Sequence, residues 1–533
     1  MNARVLPFKP GDRASQATDK NLTAILLDAS SLAVVAFGRE ARRRFFDMDP
    51  TEMKAHAFLT QFKMALSPSV RSDIPLSERT VHGEGADIAV PLLTAIAKVL
   101  EFIREEALDR SASIGISLPD VGWVLTVPAI WDESAKAFMR RAAHAAGLIA
   151  ELDSERLSLA LEPEGAVISS AMDAPPEVRA ALRVGSRVMV LDCGGGTVDC
   201  TVSELLSSDP PKLREILAPS GGSWGGTNVD AQFRKFINDV ILSSGAAGAA
   251  DSHADAAAAS AALDAWESAK CGFDPLDPAH DKVIVSGLAT VCEYVGGPEE
   301  LAKRVAAYNE ARGLGGAEAV VYRPRSFALV LPTALVKGFF DACVEPICGH
   351  LQKLLLEAAE RKKPVSFVFL VGGFAESLYL QRSVREALQT EDGLAATLII
   401  PAKPVQCVNR GAAVWGLYPS SFISSRVSKM TVGVSLCERY NSAVHDPIPH
   451  ESYLIRNSSG TWVDNVLVPL IQLNDDIPVD HVVGQEVMPL RDGQTTVNFN
   501  VSGRVCRVCG RVVQVDMLYS HPPPPSPPFF ISS

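Results

Sequence analysis

The sequence has no run of about 18 apolar residues, the least that crosses a bilayer as a helix, so no membrane span is expected. Its N-terminus, MNARVLPFKPGDRAS, lacks the apolar core of a secretory signal. Basic charge is in deficit. The 50 Lys and Arg against 62 Asp and Glu leave a formal net charge of -12. An acidic surface repels phosphate backbones, which argues against nucleic acid as a partner. Paired cysteines are scarce as well. The ten cysteines are scattered, most of them in apolar segments such as those of Cys193, Cys200 and Cys343. That pattern suits buried, reduced thiols in a cytoplasmic protein. Cys506 and Cys509 form the one C-x-x-C pair, and no second pair or histidines stand at zinc-site spacing from it.

What is present is a globular composition, 47% hydrophobic and 21% charged over 533 residues. A chain of that length is expected to divide into two to four domains or lobes. Strand-like runs at Thr23–Leu27 and Leu32–Phe37 precede a helix beginning after Gly38. Pro91–Ala107 reads as an amphipathic helix. Trp123–Val127 is a short strand, and Asp132 is placed to cap a helix with an apolar stripe at Ala135, Phe138, Ala142 and Ala146. Alanine-rich residues 245–266 and the periodic stretch Leu335–Leu355 are expected to be helical. Val365–Val371 is nearly all apolar, as in a strand buried on both faces. From about Ser420 short β-like runs recur, at Met430–Val434, Tyr453–Ile455, Val466–Leu470 and Thr495–Val501. The terminal HPPPPSPPFF is expected to be a disordered tail.

The sharpest chemical signal is the segment Val190-Leu-Asp-Cys-Gly-Gly-Gly-Thr-Val-Asp199. Glycines at the tip of a hairpin let successive N–H groups turn inward and let the backbone approach a ligand, which makes a nest for phosphate oxygens. Thr197 adds a hydroxyl. Asp192 and Asp199 flank the loop as oxygen donors suited to Mg²⁺ held through water. The plain alternative is an ordinary glycine hairpin. A second signal, Phe367-Val-Phe-Leu-Val-Gly-Gly-Phe374, is a strand that turns through Gly372 and Gly373 into a helix, bringing a helix N-terminus and bare backbone toward a ligand. A third, Gly221-Gly-Ser-Trp-Gly-Gly-Thr-Asn228, sets Gly225 and Gly226 before a helix.

Taken together, these three segments resemble the actin/Hsp70/sugar-kinase superfamily. The first resembles its second phosphate loop and the Gly372–Gly373 turn its adenosine loop. Other stretches narrow the resemblance to the Hsp70 family, and to its divergent family 12 branch. Leu125-Thr-Val-Pro-Ala-Ile-Trp131 resembles the strand-to-helix segment, Leu161-Glu-Pro-Glu-Gly-Ala166 the EP-x-A-A turn, and Gln61-Phe-Lys-Met64 the FKM of family 12. Trp266-Glu-Ser-Ala-Lys270 resembles the adenosine-side helix and Gly411-Ala-Ala413 the return to the first lobe. The resemblance implies an α/β actin-like ATPase fold, two lobes around a nucleotide cleft, with ATP or ADP and Mg²⁺ as ligands. It implies that Asp192 and Asp199 organise the metal and the attacking water. Gly194, Gly195, Gly196 and Thr197 would hold phosphates, Lys63 would stand near the γ-phosphate, and Glu162 near the metal, coupled to Pro128. Glu267, Lys270 and Gly373 would border the adenosine.

The sequence also departs from the family. No Asp-x-Gly-Thr-Thr loop precedes Thr23, so the chain is expected to enter the fold partway through the first lobe and to hydrolyse ATP poorly. Cys271 stands where an arginine is usual, Phe374 where a small residue is frequent, and Val405 where an acid is common. The expected divisions are residues 1–183 for a first lobe lacking its phosphate-loop hairpin and 184–395 for a second lobe. Residues 396–418 would return to the first lobe, 419–505 form a β-rich region, and 506–533 a proline-rich tail. The expected function is an Hsp70-like, ATP-binding, chaperone-related protein with protein clients or co-chaperones. The alternatives are a non-catalytic scaffold and, less favoured, a sugar-kinase-type phosphotransferase.

Overall fold

The structure is a computed structural model. It describes residues 21–478 apart from short stretches at 67–73, 113–120, 175, 209–210, 243–251, 276, 278–280, 390–395, 418–421, 430, 446–453 and 458–459, and beyond them the strands at 483–485, 500–502, 514–516 and 529–532. Cys506 and Cys509 lie outside the described residues.

A seven-stranded sheet carries the glycine hairpin. Its order is Thr397–Ile399, Phe367–Val371, Arg187–Cys193, Val198–Ser208, Pro211–Gly222, Ile423–Val427 and Asp476–Pro478. The Phe367 strand runs parallel to both of its neighbours. Its apolar run is explained by the two cores it separates. Met189, Leu191, Cys193, Val368 and Leu370 enter one core with Phe233, Trp266 and Phe340. Val188, Val190, Phe369 and Val371 enter the other with Ala166 and Val167. Alternate residues thus face opposite layers of helix, the period-2 consequence of a strand covered on both sides.

Ala24–Asp28 and Val34–Phe37 pair with His56–Thr60 and Glu84–Gly85 in a four-stranded sheet. The second strand starts later than the apolar pattern suggests. Leu32 is left-handed at φ 55 and its N–H bonds the Asp28 carbonyl, so Leu32 belongs to the turn. Trp123–Val127 pairs in parallel with Leu157–Leu161, and both strands border a further core with Phe62, Leu66 and Phe138. Asp132 caps Glu133–Ala145 by accepting from the Ala135 N–H, and Ala135, Phe138, Ala142 and Ala146 are all buried. The alanine-rich helix is Ser252–Cys271, and the long periodic one Thr333–Glu360.

Two strands from the β-rich stretch after residue 420, Ile423–Val427 and Asp476–Pro478, extend the seven-stranded sheet. A separate four-stranded sheet holds Leu454–Asn457, Gly460–Ile471, Val432–Arg439 and Asn500–Ser502. Most of the expected tail at 506–533, including its prolines, lies outside the described residues. Phe529–Ser532 pairs with Val483–Gln485 and Gln514–Asp516, since the aromatic and β-branched residues after the prolines recover strand propensity.

Helix Glu162–Asp173 and helix Cys407–Leu417 touch backbone to backbone. A Cβ at Gly411 would fall 1.7 Å from the Gly165 carbonyl oxygen, and one at Gly165 2.7 Å from that of Val408. Only glycine permits this crossing. Gly411→Ala is expected to cost about 2–3 kcal/mol of stability or more, by overpacking against rigid backbone. Chemical denaturation that showed a loss within error of zero would refute this account of the crossing.

Candidate nucleotide site

The site starts at the hairpin Arg187–Cys193/Val198–Ser208, where Asp192 and Asp199 are direct cross-strand partners. Both are buried, at 6% and 1% exposure. Like charges placed opposite each other on a strand pair destabilise it unless a cation compensates. Asp192 leans toward the Gly372 turn, its Oδ1 lying 2.5 Å from where a Gly372 Cβ would stand. Gly372 is at φ 91, a conformation that costs glycine nothing. Asp199 leans the other way and accepts from the Ile130 N–H at 3.1 Å.

Between them the two glycine loops lie on each other. The N–H groups of Gly226, Thr227 and Gly225 donate to the carbonyls of Gly194, Gly195 and Gly196 at 3.1, 2.8 and 3.3 Å. The Thr227 hydroxyl adds a second bond to Gly195 at 2.8 Å. All three carbonyls of the hairpin tip are therefore satisfied. The N–H groups of Gly195, Gly196 and Thr197 donate to no acceptor among the described residues. An anion fits such a row of donors. The loop is roofed by the FKM turn, a 3₁₀ segment Phe62–Leu66: a Cβ on Gly196 would stand 2.6 Å from the Met64 sulfur.

Lys63 projects from that turn and pairs with Glu162 at 2.9 Å, the first residue of the glycine-crossed helix. Its ammonium lies 5.5 Å from the Trp131 ring centroid. Burial pulls the pKa of Lys63 down, but Glu162, Asp199 and Asp192 together outweigh it and hold the value above that of ordinary lysine. Asp199 goes up to about 6, mainly through burial and then the Glu162 charge, against the pull of the Ile130 N–H, the Thr197 hydroxyl and Lys63. Among the described residues no three His, Cys, Asp or Glu side chains converge on one point. Two carboxylates suit Mg²⁺, which keeps several waters and takes one or two protein carboxylates plus phosphate oxygens, while the backbone N–H groups suit the anion.

Glu267 and Lys270, expected from the resemblance to border an adenosine, come together as a pair at 2.8 Å, and the structure adds a residue that sequence reasoning missed. Asp230 receives Lys270 at 2.9 and 3.1 Å and the Trp266 ring N–H at 3.1 Å. It sits one turn into helix Thr227–Leu242, so the helix that follows the second glycine loop also carries the partner of Lys270. An acid in a first helical turn is common for dipole reasons, and nothing in the sequence set this one apart. Phe374 is buried: its ring faces Gly226 at 3.2 Å from a built Cβ and stacks on Phe340. A second missed residue is Lys429. Its ammonium donates to the Ala129 carbonyl, the same peptide unit whose N–H meets Asp199. Cys271 is exposed at the end of its helix.

The chain is thus a mixed α/β protein whose glycine hairpin carries paired aspartates, and sequence relatives bear on its class. No family model matches the chain. It is similar to heat shock 70 kDa protein 12B of Homo sapiens, 28% identical over 548 residues, covering 91% of this chain and 74% of that protein. It is likewise 28% identical to heat shock 70 kDa protein 12A of Mus musculus over 527 residues, 87% of this chain and 73% of the relative. The chaperone protein DnaK of Methanothermobacter thermautotrophicus matches at 25% over 342 residues, 64% of this chain and 46% of its own length. The similarity supports a divergent Hsp70-family branch, and relatives of that kind imply an actin-like ATPase fold. No described helix is long and apolar enough to cross a membrane.

The raised pKa of Asp199 makes stability depend on pH. Its folded value of about 6 lies above the 3.8 of an ordinary aspartate, so the contribution is full below pH 3.8 and is lost as pH rises through 6. The loss is roughly 3 kcal/mol. Asp199→Asn is expected to raise the melting temperature at pH 7.5 and to do little at pH 4. Equal shifts at both pH values would contradict the buried, reluctantly ionised carboxylate.

Proposed function

We propose that this protein binds ATP or ADP with Mg²⁺ in a cleft between two lobes, residues 1–183 with the return segment 396–418 and residues 184–395, and that nucleotide governs their closure. The observation that carries the reading is the stack of glycine loops. Its carbonyls are satisfied, and its Gly195, Gly196 and Thr197 N–H groups have no acceptor among the described residues. In this reading those groups hold the β- and γ-phosphates with Gly194, and Lys63 offers a cation to the γ-phosphate. Asp192 and Asp199 are placed to hold Mg²⁺ through water, and the metal when bound supplies charge neutralisation on the phosphates. Glu162 keeps Lys63 charged and in place. In the same reading Asp199, with Asp192, orients the attacking water. Gly225 and Gly226 fix the loop, while Glu267, Lys270, Asp230 and the Gly372–Gly373 turn border the adenosine.

A second reading is a nucleotide-responsive scaffold or interaction protein without catalysis. A chaperone role with clients or co-chaperones rests on the family alone, as does a cytoplasmic site of action.

Calorimetry of ADP and ATP with Mg²⁺, on this chain and on Asp192→Ala, tests the reading. Binding that is lost by about tenfold or more in the variant is the expected result, since one charge-assisted contact is worth about 1.5–3 kcal/mol. No binding to either chain would discard the nucleotide reading. Phosphate release then separates ATPase from scaffold. A second test concerns the clasp between the lobes. Arg42 donates to the Ser260 hydroxyl at 2.9 Å and carbonyl at 2.8 Å and pairs with Asp264 at 3.1 Å. Arg42→Ala is expected to speed ADP release several-fold in stopped-flow with a fluorescent ADP analogue, and an unchanged rate would show that the clasp does not gate release.

A further inference from the structure

The sheet formed by Lys282–Val285, Ala328–Pro332 and Val321–Arg323 has one face in the core and one outside. Val283, Val285, Tyr322, Leu329 and Leu331 point inward and join the large cluster around Phe233 and Trp266. The outward row is also apolar. Ile284 stands opposite Val330, and Val330 opposite Val321. Val330 is 2% exposed, but its two neighbours keep 47% and 44% of their surface. The turn joining two of these strands adds Phe327, at 38%. An outward face of alternating polar residues is the ordinary outcome for such a sheet, so an apolar row here calls for a cause.

Two independent observations point to a partner. Phe327 is held left-handed, at φ 45 and ψ 49. A bulky aromatic in that region costs about 1–2 kcal/mol, and the glycine or asparagine that would relieve it is not used. The charge at the face is also the reverse of the chain's. Lys282 lies at one end of the row, and Arg323 and Arg325 at the other, and none of the three has an ion pair among the described residues. In a chain of net charge -12, three cations left without carboxylates around an exposed apolar row form a complementary surface, not a solvated average.

We propose that this face docks an acidic segment of a partner protein, with one or two aliphatic or aromatic side chains laid on Ile284, Val321 and Phe327 and carboxylates at Arg323, Arg325 and Lys282. Apolar anchors with a charged rim are the usual anatomy of such contacts. A nucleic-acid backbone offers nothing to the apolar row and is repelled by the rest of the chain. The proposal is independent of the nucleotide reading, because no residue of that site takes part in it.

The test is fluorescence anisotropy with a labelled peptide of alternating Glu and Leu with a central Phe, a Lys counterpart of the same peptide, and phosphatidylserine vesicles, on the full chain. The acidic peptide is expected to bind with micromolar, salt-sensitive affinity and the Lys peptide not at all. The double variant R323E/R325E should weaken binding at least about tenfold, as rim charge reversal adds repulsion to lost attraction. Phe327→Gly should weaken it too while leaving the melting temperature equal or higher, which separates lost docking from lost folding. Equal affinity in wild type and both variants would overturn the proposal. So would no binding of the acidic peptide at millimolar concentration, or vesicle binding through the same residues with none to the peptide.

Discussion

Everything at the candidate site depends on a contact with no side chain in it. Gly225 lies against Gly195 so closely that a Cβ would stand 2.2 Å from the Gly195 carbonyl oxygen. At that distance the second loop saturates the carbonyls of the first, and the hairpin tip can present only N–H groups outward. The same approach sets the start of helix Thr227–Leu242, and with it Asp230, Lys270 and Glu267. A larger residue at this junction would separate the loops, free the carbonyls, and put acceptors where an anion needs donors.

Around this neutral junction the protein concentrates charge that is unfavourable by itself. Asp192 and Asp199 face each other across a hairpin, and Glu162 adds a third carboxylate. Lys63 and the Ile130 N–H offset only part of the burial, and Asp199 stays reluctant to ionise. Sites that trade stability for a poised, under-neutralised cluster are a usual mark of function. The cluster is held from outside by uncharged means. The glycine crossing of helices Glu162–Asp173 and Cys407–Leu417 places Glu162, and Lys429 grips the peptide whose other end meets Asp199. The strand Ile423–Val427 therefore matters to the site, although it follows the last glycine motif by many residues.

Much of this was legible in the sequence where one residue type has one physical use. The Asp-Cys-Gly-Gly-Gly-Thr-Val-Asp stretch could hardly be anything but a hairpin tip, because its glycines and flanking apolar strands agree. The cap at Asp132 and the stripe through Ala135, Phe138, Ala142 and Ala146 followed from helical period. The buried strand ending at Gly372 followed from an apolar run too short for a helix. Reading went astray where residues serve tertiary neighbours. Leu32 looked like strand and is a left-handed turn. Phe374, which stands where a small residue is frequent, is a core residue on Phe340. Asp230, one acid among many at helix starts, showed its role only when Lys270 and Trp266 arrived from 40 and 36 residues away.

The amino-acid sequence by itself determined the local elements, the glycine turns and the chemistry available at them, since period, propensity and the freedom of glycine act over a few residues. It did not decide which loops would meet, which carboxylate would be forced toward its neutral form, or where the β-rich end would dock. Those depend on burial and on backbone approach between segments hundreds of positions apart, such as Lys429 on Ala129, and neither exists until the chain has folded.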